Sequence, residues 1–240
     1  AISIYEDARG YIWFGNDNFN VYDGRIVRSF RLSTYMDGVE DNNIHAICGD
    51  GEAFVYMLAN NRLIAYNMRT EEFRRTDISA NTLTYENRYL YYSSKNTLYR
   101  YRLDGEPEKL YAFQDSTITI RSLLLSDAGW LLGTNKGVYE YTGGTVRSLL
   151  ENESISSLFK DAQNRLWVGT GSNGVRVYND GTWIALQENS PVCPLVNNQV
   201  RCINQDIKGN IWIGSFGGIT VVKPSLQDCY HLSHKEQVSW

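Results

Sequence analysis

The stretch Lys160-Asp161-Ala162-Gln163-Asn164-Arg165-Leu166-Trp167-Val168-Gly169 decides the fold, because it is one of three near-copies. Glu6 to Gly15 and Gln205 to Gly214 repeat its order: an Asp, a turn ending in Gly or Asn, an apolar residue, Trp, a hydrophobe and Gly. Fainter copies fill the gaps. In the second unit Asp50-Gly51 opens the turn and Tyr56 takes the Trp position; in the third Asn87 opens it, Tyr91 replaces Trp and Ser93 replaces Gly. In the fourth the turn Asp127-Ala128-Gly129 is shorter, Leu131 falls in the Trp slot, Trp130 lies one place early, and Gly133-Thr134 matches Gly169-Thr170. The spacing averages about 40 residues, and a repeat of that length built only of short strands is the signature of a β-propeller blade.

Within a unit, apolar residues alternate over short runs bounded by turn residues, which is the period of strands. In the fifth unit the pattern predicts strands at Ile155–Phe159, Arg165–Gly169, Gly174–Tyr178 and Thr182–Leu186, the four antiparallel strands of one blade. The Asp-led turn suits a tight hairpin, since Asp bonds its own backbone and Gly or Asn tolerates positive φ. Trp or Tyr after it is expected to fill the space between blades, and the following Gly to permit a close backbone approach. The fold class is therefore all-β, a single β-propeller domain over 1–240 with six visible repeats at approximately 1–31, 43–76, 81–113, 117–150, 154–187 and 199–233. The last residues, Gln237-Val238-Ser239-Trp240, echo Gln199-Val200-Arg201-Cys202, which reads as the start of a further blade at 237–240. The chain is accordingly expected to be a fragment of a seven-bladed propeller.

Composition narrows the partners. A net charge of −4, with no basic cluster beyond Arg74-Arg75, argues against nucleic acid, whose phosphates demand dense positive charge. No run of 18 apolar residues or lipidation motif is present. Cys48, Cys193, Cys202 and Cys229 lack the paired spacing of a zinc site, so neither metal nor cofactor is expected. Cys48 and Cys202 fall in or beside first strands as small buried residues, whereas Cys193 lies in a loop with a bridge to Cys202 or Cys229 open to it.

Ligands of propellers are usually met on the face carrying the loops between blades and the loops between second and third strands. Two inter-blade loops are long: Leu32 to Asn43, carrying Tyr35, and Gln187 to Asn198. First strands line the central channel, and three carry groups that need a polar partner: His45, Arg121 and Arg201. Arginine beside Asn198 suits a carboxylate, a sulfate or sugar hydroxyls, because its planar fork donates to two acceptors at once. His45, Arg121, Arg201, Tyr35 and Asn198 are thus the candidate ligand residues. No catalytic residue is assigned. The histidines are only His45, His231 and His234, and neither a nucleophile elbow nor a metalloprotease helix occurs.

Asp7–Gly15, Asp161–Gly169 with Gly174–Tyr178, and Asp206–Gly214 with Gly218-Ile219 resemble two-component regulator propeller repeats. The resemblance implies the periplasmic sensor region of a hybrid two-component system of the kind found in Bacteroidetes. It is a non-catalytic part of an inner-membrane protein in which a second propeller, a β-sandwich, a membrane span and a histidine kinase follow. Expected partners are an oligosaccharide ligand, those further parts of the same chain, and a second copy in a homodimer. The repeats are scaffold, so no ligand contact follows from the motif. The same repeat is similar to that of streptogramin lyases, magnesium-dependent enzymes with a His base, for which His45 is the candidate here. A propeller serving only as a protein docking platform is the third reading.

Overall fold

The computed structural model describes residues 3–15, 17–37, 43–226 and 228–233, and nearly all of the regular structure there is strand. Residues 237–240, expected to open a further blade, and His234 lie outside the described residues.

Six four-stranded sheets follow one another, each an antiparallel meander in chain order. The first holds Ser3–Glu6, Ile12–Gly15, Phe19–Tyr22 and Val27–Phe30; the second Ile44–Gly49, Phe54–Ala59, Arg62–Asn67 and Glu72–Ser79. The third holds Thr82–Glu86, Tyr89–Ser94, Thr97–Tyr101 and Glu108–Ala112; the fourth Ile120–Leu125, Trp130–Thr134, Gly137–Thr142 and Thr145–Glu151. The fifth holds Ile155–Lys160, Leu166–Thr170, Val175–Asn179 and Thr182–Leu186; the sixth Val200–Gln205, Ile211–Ser215, Gly218–Val222 and Cys229–Ser233. These are the blades of a β-propeller, one per sequence repeat. A one-turn helix at Leu32–Tyr35, with Leu32 buried, interrupts the loop after the first blade. The chain forms two compact units, residues 1–120 with three blades and 121–240 with the other three.

The repeated segment folds the same way in its three close copies. Asp7, Asp161 and Asp206 each accept through Oδ1 from two backbone amides, those of Arg9 and Tyr11, Gln163 and Arg165, and Lys208 and Asn210. The turn closes with Gly10, Asn164 and Gly209 at φ of 80°, 64° and 82°, a left-handed conformation that Gly and Asn tolerate. The other carboxylate oxygen accepts the indole N–H of Trp13, Trp167 or Trp212 at 2.9, 2.8 and 3.0 Å. Trp13 and Trp167 are buried and fill inter-blade cores. Trp13 stacks on Phe19 of its own blade at 5.0 Å and tilts against Tyr66 of the second at 5.5 Å.

The glycine two places after Trp makes room for the next blade. A Cβ on Gly15 would lie 2.4 Å from Ile44, and one on Gly169 2.7 Å from Val200. Gly133 meets Ile155 in the same way, at 2.7 Å. In the third blade, Ser93 uses the position differently: its hydroxyl donates to the Ile120 carbonyl at 3.0 Å. In the second blade Leu58 stands there, fully buried among Leu83, Leu90 and Ala80.

Gly169→Ala is expected to cost about 1–3 kcal/mol through overpacking against Val200. Gly171→Ala, whose Cβ would meet nothing closer than 3.7 Å, is expected to be nearly neutral, and urea unfolding of the pair reads the difference. Stability is also tied to the turn carboxylates. Burial opposes ionisation of Asp7 and Asp161, but their indole, guanidinium and amide donors outweigh it, and both titrate below the usual carboxylate value. The Trp212 and Asn210 donors bring Asp206 down to about 2. Folded values below unfolded ones mean a contribution complete above about pH 4 and lost as pH falls through the folded pKa values. The melting temperature should therefore fall between about pH 4 and pH 2, less steeply in Asp206→Asn.

Candidate functional site

In four blades the first strand begins with a buried branched residue, Ile44, Ile120, Ile155 or Val200, and in three of them the ladder slips immediately after it. Ile44 pairs with Ala59 and Ala46 with Leu58; Ile155 pairs with Thr170 and Ser157 with Gly169; Val200 pairs with Ser215 and Cys202 with Gly214. His45, Ser156 and Arg201 are the bulged residues. A β-bulge removes one residue from the pairing and re-aims its side chain. Arg121 follows the buried Ile120 as those three follow Ile44, Ile155 and Val200.

Two of these side chains hold a buried polar atom with no hydrogen-bond partner among the described residues, His45 Nε2 and Ser156 Oγ. Such atoms are costly unless something satisfies them. Arg201 is exposed, with no hydrogen-bond or ion-pair partner among the described residues. Arg121, also exposed, donates from Nη1 to Ser154 Oγ at 2.9 Å, reaching the residue that precedes the fifth blade. Within the second unit, therefore, Arg121, Ser156 and Arg201 hold corresponding places at the start of consecutive blades. His45 holds that place in the second blade, and burial pushes its pKa below the usual imidazole value despite a bond to the Asn43 backbone.

The other two candidates are placed differently. Asn198 is built into its loop: its side-chain oxygen accepts from the Glu188 amide at 3.0 Å, while its own amide donates to Glu188 Oε1 at 2.7 Å. Tyr35 packs on Phe30 and Phe73, with centroids 6.0 and 5.1 Å away, and lines a groove of about 510 Å³ with Glu71 and Arg74. The polar loops between second and third strands are largely self-satisfied. Thr134, Thr170 and Ser215 each donate to the carbonyl of the glycine that re-enters the blade, at 2.9, 2.8 and 3.2 Å.

Sequence reasoning missed two features. One is a part-buried cluster at the fifth blade, where the buried Glu153 accepts from Arg176 and Asn173 at 2.7 Å each. The other is a cleft of about 630 Å³ between the second and third blades, at the end carrying their first hairpin turns, opposite to the expected face. Phe54, Tyr56 and Tyr85 form a ladder there, with centroids 6.0 and 5.8 Å apart, and Arg74, Arg88 and Arg102 surround it. The only signal in the sequence was the density of Tyr and Arg in these two repeats.

Residues 1–18, 148–172 and 194–217 match the two component regulator propeller family, each segment carrying the two leading strands of a blade. In these three segments the chain is similar to two component regulator propeller repeats, each match spanning an Asp–Trp turn. It is similar to a histidine kinase, P4, of Formosa agariphila, at 27% identity over 52% of this chain and 10% of that protein. Among solved structures, it resembles the extracellular domain of a putative hybrid two component system of B. thetaiotaomicron, with TM-score 0.52 and 19% identity over 95% of this chain and 40% of that one. The virginiamycin B lyase of Staphylococcus aureus shares the fold at TM-score 0.77 and 11% identity, over 98% of this chain and 84% of that one. The chain therefore spans 10% of its curated relative and two fifths of the extracellular domain, and no helix among the described residues is long and apolar enough to cross a membrane.

His45 provides a direct check on the bulge geometry. Its folded pKa lies below the unfolded value, so stability is complete above about pH 6.5 and is lost as pH falls toward the folded value. His45→Gln should flatten the decline in unfolding free energy between pH 7.5 and 5.5 measured in urea.

Proposed function

We propose that this chain is a non-catalytic sensor propeller from the periplasmic region of a hybrid two-component system, and that its ligand is a glycan-derived oligosaccharide. The reading is supported by the likeness of its repeats together with Arg121 and Arg201, which follow the buried first residue of first strands in the second unit. A guanidinium with no partner among the described residues and a second one that donates there to a serine hydroxyl suit a ligand rich in hydroxyls or carrying a carboxylate. Binding would signal only by favouring one of two arrangements of the longer protein, through differential affinity. The partners in that event are a second propeller and a β-sandwich of the same chain and a second copy in a homodimer. Tyr35, Asn198 and His45 are proposed as further contacts.

The fold shared with a virginiamycin B lyase keeps an enzymatic reading in play, with His45 as the base. Its Nε2 is buried, however, and a general base must reach the proton it takes. A propeller that only docks another protein is the remaining alternative.

Isothermal titration of the intact extracytoplasmic region against host and dietary glycan oligosaccharides, with product assayed with and without magnesium, tests all three readings. Saturable binding without turnover is expected. Arg201→Ala should weaken that binding about tenfold or more with the melting temperature unchanged, and Arg121→Ala should weaken it less. Turnover that needs His45 would overturn the sensor reading.

A further inference from the structure

We propose that Cys193 and Cys229 form a disulfide that fastens the long loop before the sixth blade to that blade's last strand. Cys193 sits in the loop between Gln187 and Asn198 and has no exposed surface. Cys229 opens the strand Cys229–Ser233 and packs against the same core, beside Leu195, Val222 and Leu226. Burial and, after it, the neighbouring Cys229 thiol push the Cys193 thiol well up. A second tie lies next door, because the Pro194 carbonyl accepts from the Cys229 thiol at 3.8 Å and lies 2.7 Å from His231 Nε2. Loop and strand are thus tied together at the residue next to Cys193. Closing the bond needs the sulfurs to come to about 2.05 Å.

The remaining cysteines are differently placed. Cys202 is exposed on the first strand of the same blade, and Cys48 belongs to the second blade and packs against the core between the second and third. Of the other three cysteines, Cys229 is the one that packs against the core in which Cys193 is buried. In the proposed step, the half-exposed Cys229 loses its proton and displaces one thiolate from a small-molecule disulfide such as oxidised glutathione. Cys193 then loses its proton and attacks Cys229 Sγ, expelling the second thiolate. Two protein thiols are oxidised and one disulfide is reduced to two thiols. Because the Cys193 thiol holds its proton tightly, this second displacement is the slow one at neutral pH.

The test is peptide mapping of the intact protein after equilibration with oxidised glutathione, with free thiols alkylated before unfolding and again after it. A peptide pair joined through Cys193 and Cys229 that separates on reduction is expected, with Cys48 and Cys202 recovered as thiols or as glutathione adducts. Alkylation of Cys193 after unfolding without prior reduction, or a bond from Cys193 to Cys202, would overturn the proposal. The bond would close a loop of roughly 35 residues, so oxidation should raise the melting temperature by about 5 °C or more. Cys229→Ser leaves the buried Cys193 in place and should abolish that redox-dependent shift; a shift that persists would also overturn the assignment.

Discussion

A carboxylate that gathers an indole N–H and the amides of its own turn is the interaction on which the rest of the molecule depends. In Asp161 one oxygen holds the backbone N–H groups of Gln163 and Arg165, and the other holds the Trp167 indole and the Arg165 guanidinium. One short side chain thereby sets the hairpin between the first and second strands and the orientation of the large ring on the second. The ring must be oriented, because it fills the space between blades; placed correctly, it leaves the glycine two residues on facing the first strand of the next blade. A local hydrogen-bond set is thus converted into a spacing between sheets. Burying a carboxylate is unfavourable unless it is well partnered, and these accept four or five hydrogen bonds each.

Where the motif is absent, other chemistry maintains the spacing. Asp50 retains the turn amides of Glu52, Ala53 and Phe54, but Tyr56 offers no indole; it stacks on Phe54 and Tyr85 instead. Asp127 has left the turn role altogether and stands out in solvent as the partner of Lys160. Trp130 and Leu131 are both buried there, so two adjacent residues share the work of one. The degenerate repeats are therefore solutions to the same packing problem with different side chains.

The fold was legible because period, turn chemistry and apolar alternation all pointed to one unit, and the predicted strands of the fifth blade lie within a residue of the observed ones. The candidate site was legible only in part. His45, Arg121 and Arg201 stood out as polar groups on first strands, but the slip in pairing that re-aims His45, Ser156 and Arg201 depends on register and leaves no mark in a single strand's sequence. Ser156 was overlooked for that reason. Tyr35 and Asn198 look alike in sequence, as polar residues of long loops, yet one joins an aromatic cluster and the other closes its own loop. The cleft between the second and third blades draws on outer and inner strands of two repeats, a convergence that only the stacking of blades creates.

The bulge at the start of first strands separates two jobs that neighbouring residues would otherwise share. Ile44, Ile155 and Val200 meet the preceding blade's glycine and are held to a branched apolar shape. The residue after each is excused from the ladder, and its side chain differs from blade to blade: an imidazole, a hydroxyl, a guanidinium. Side-chain chemistry at that position can drift without disturbing the spacing of the sheets, so a propeller of this design can change its polar groups one blade at a time while its architecture stays put.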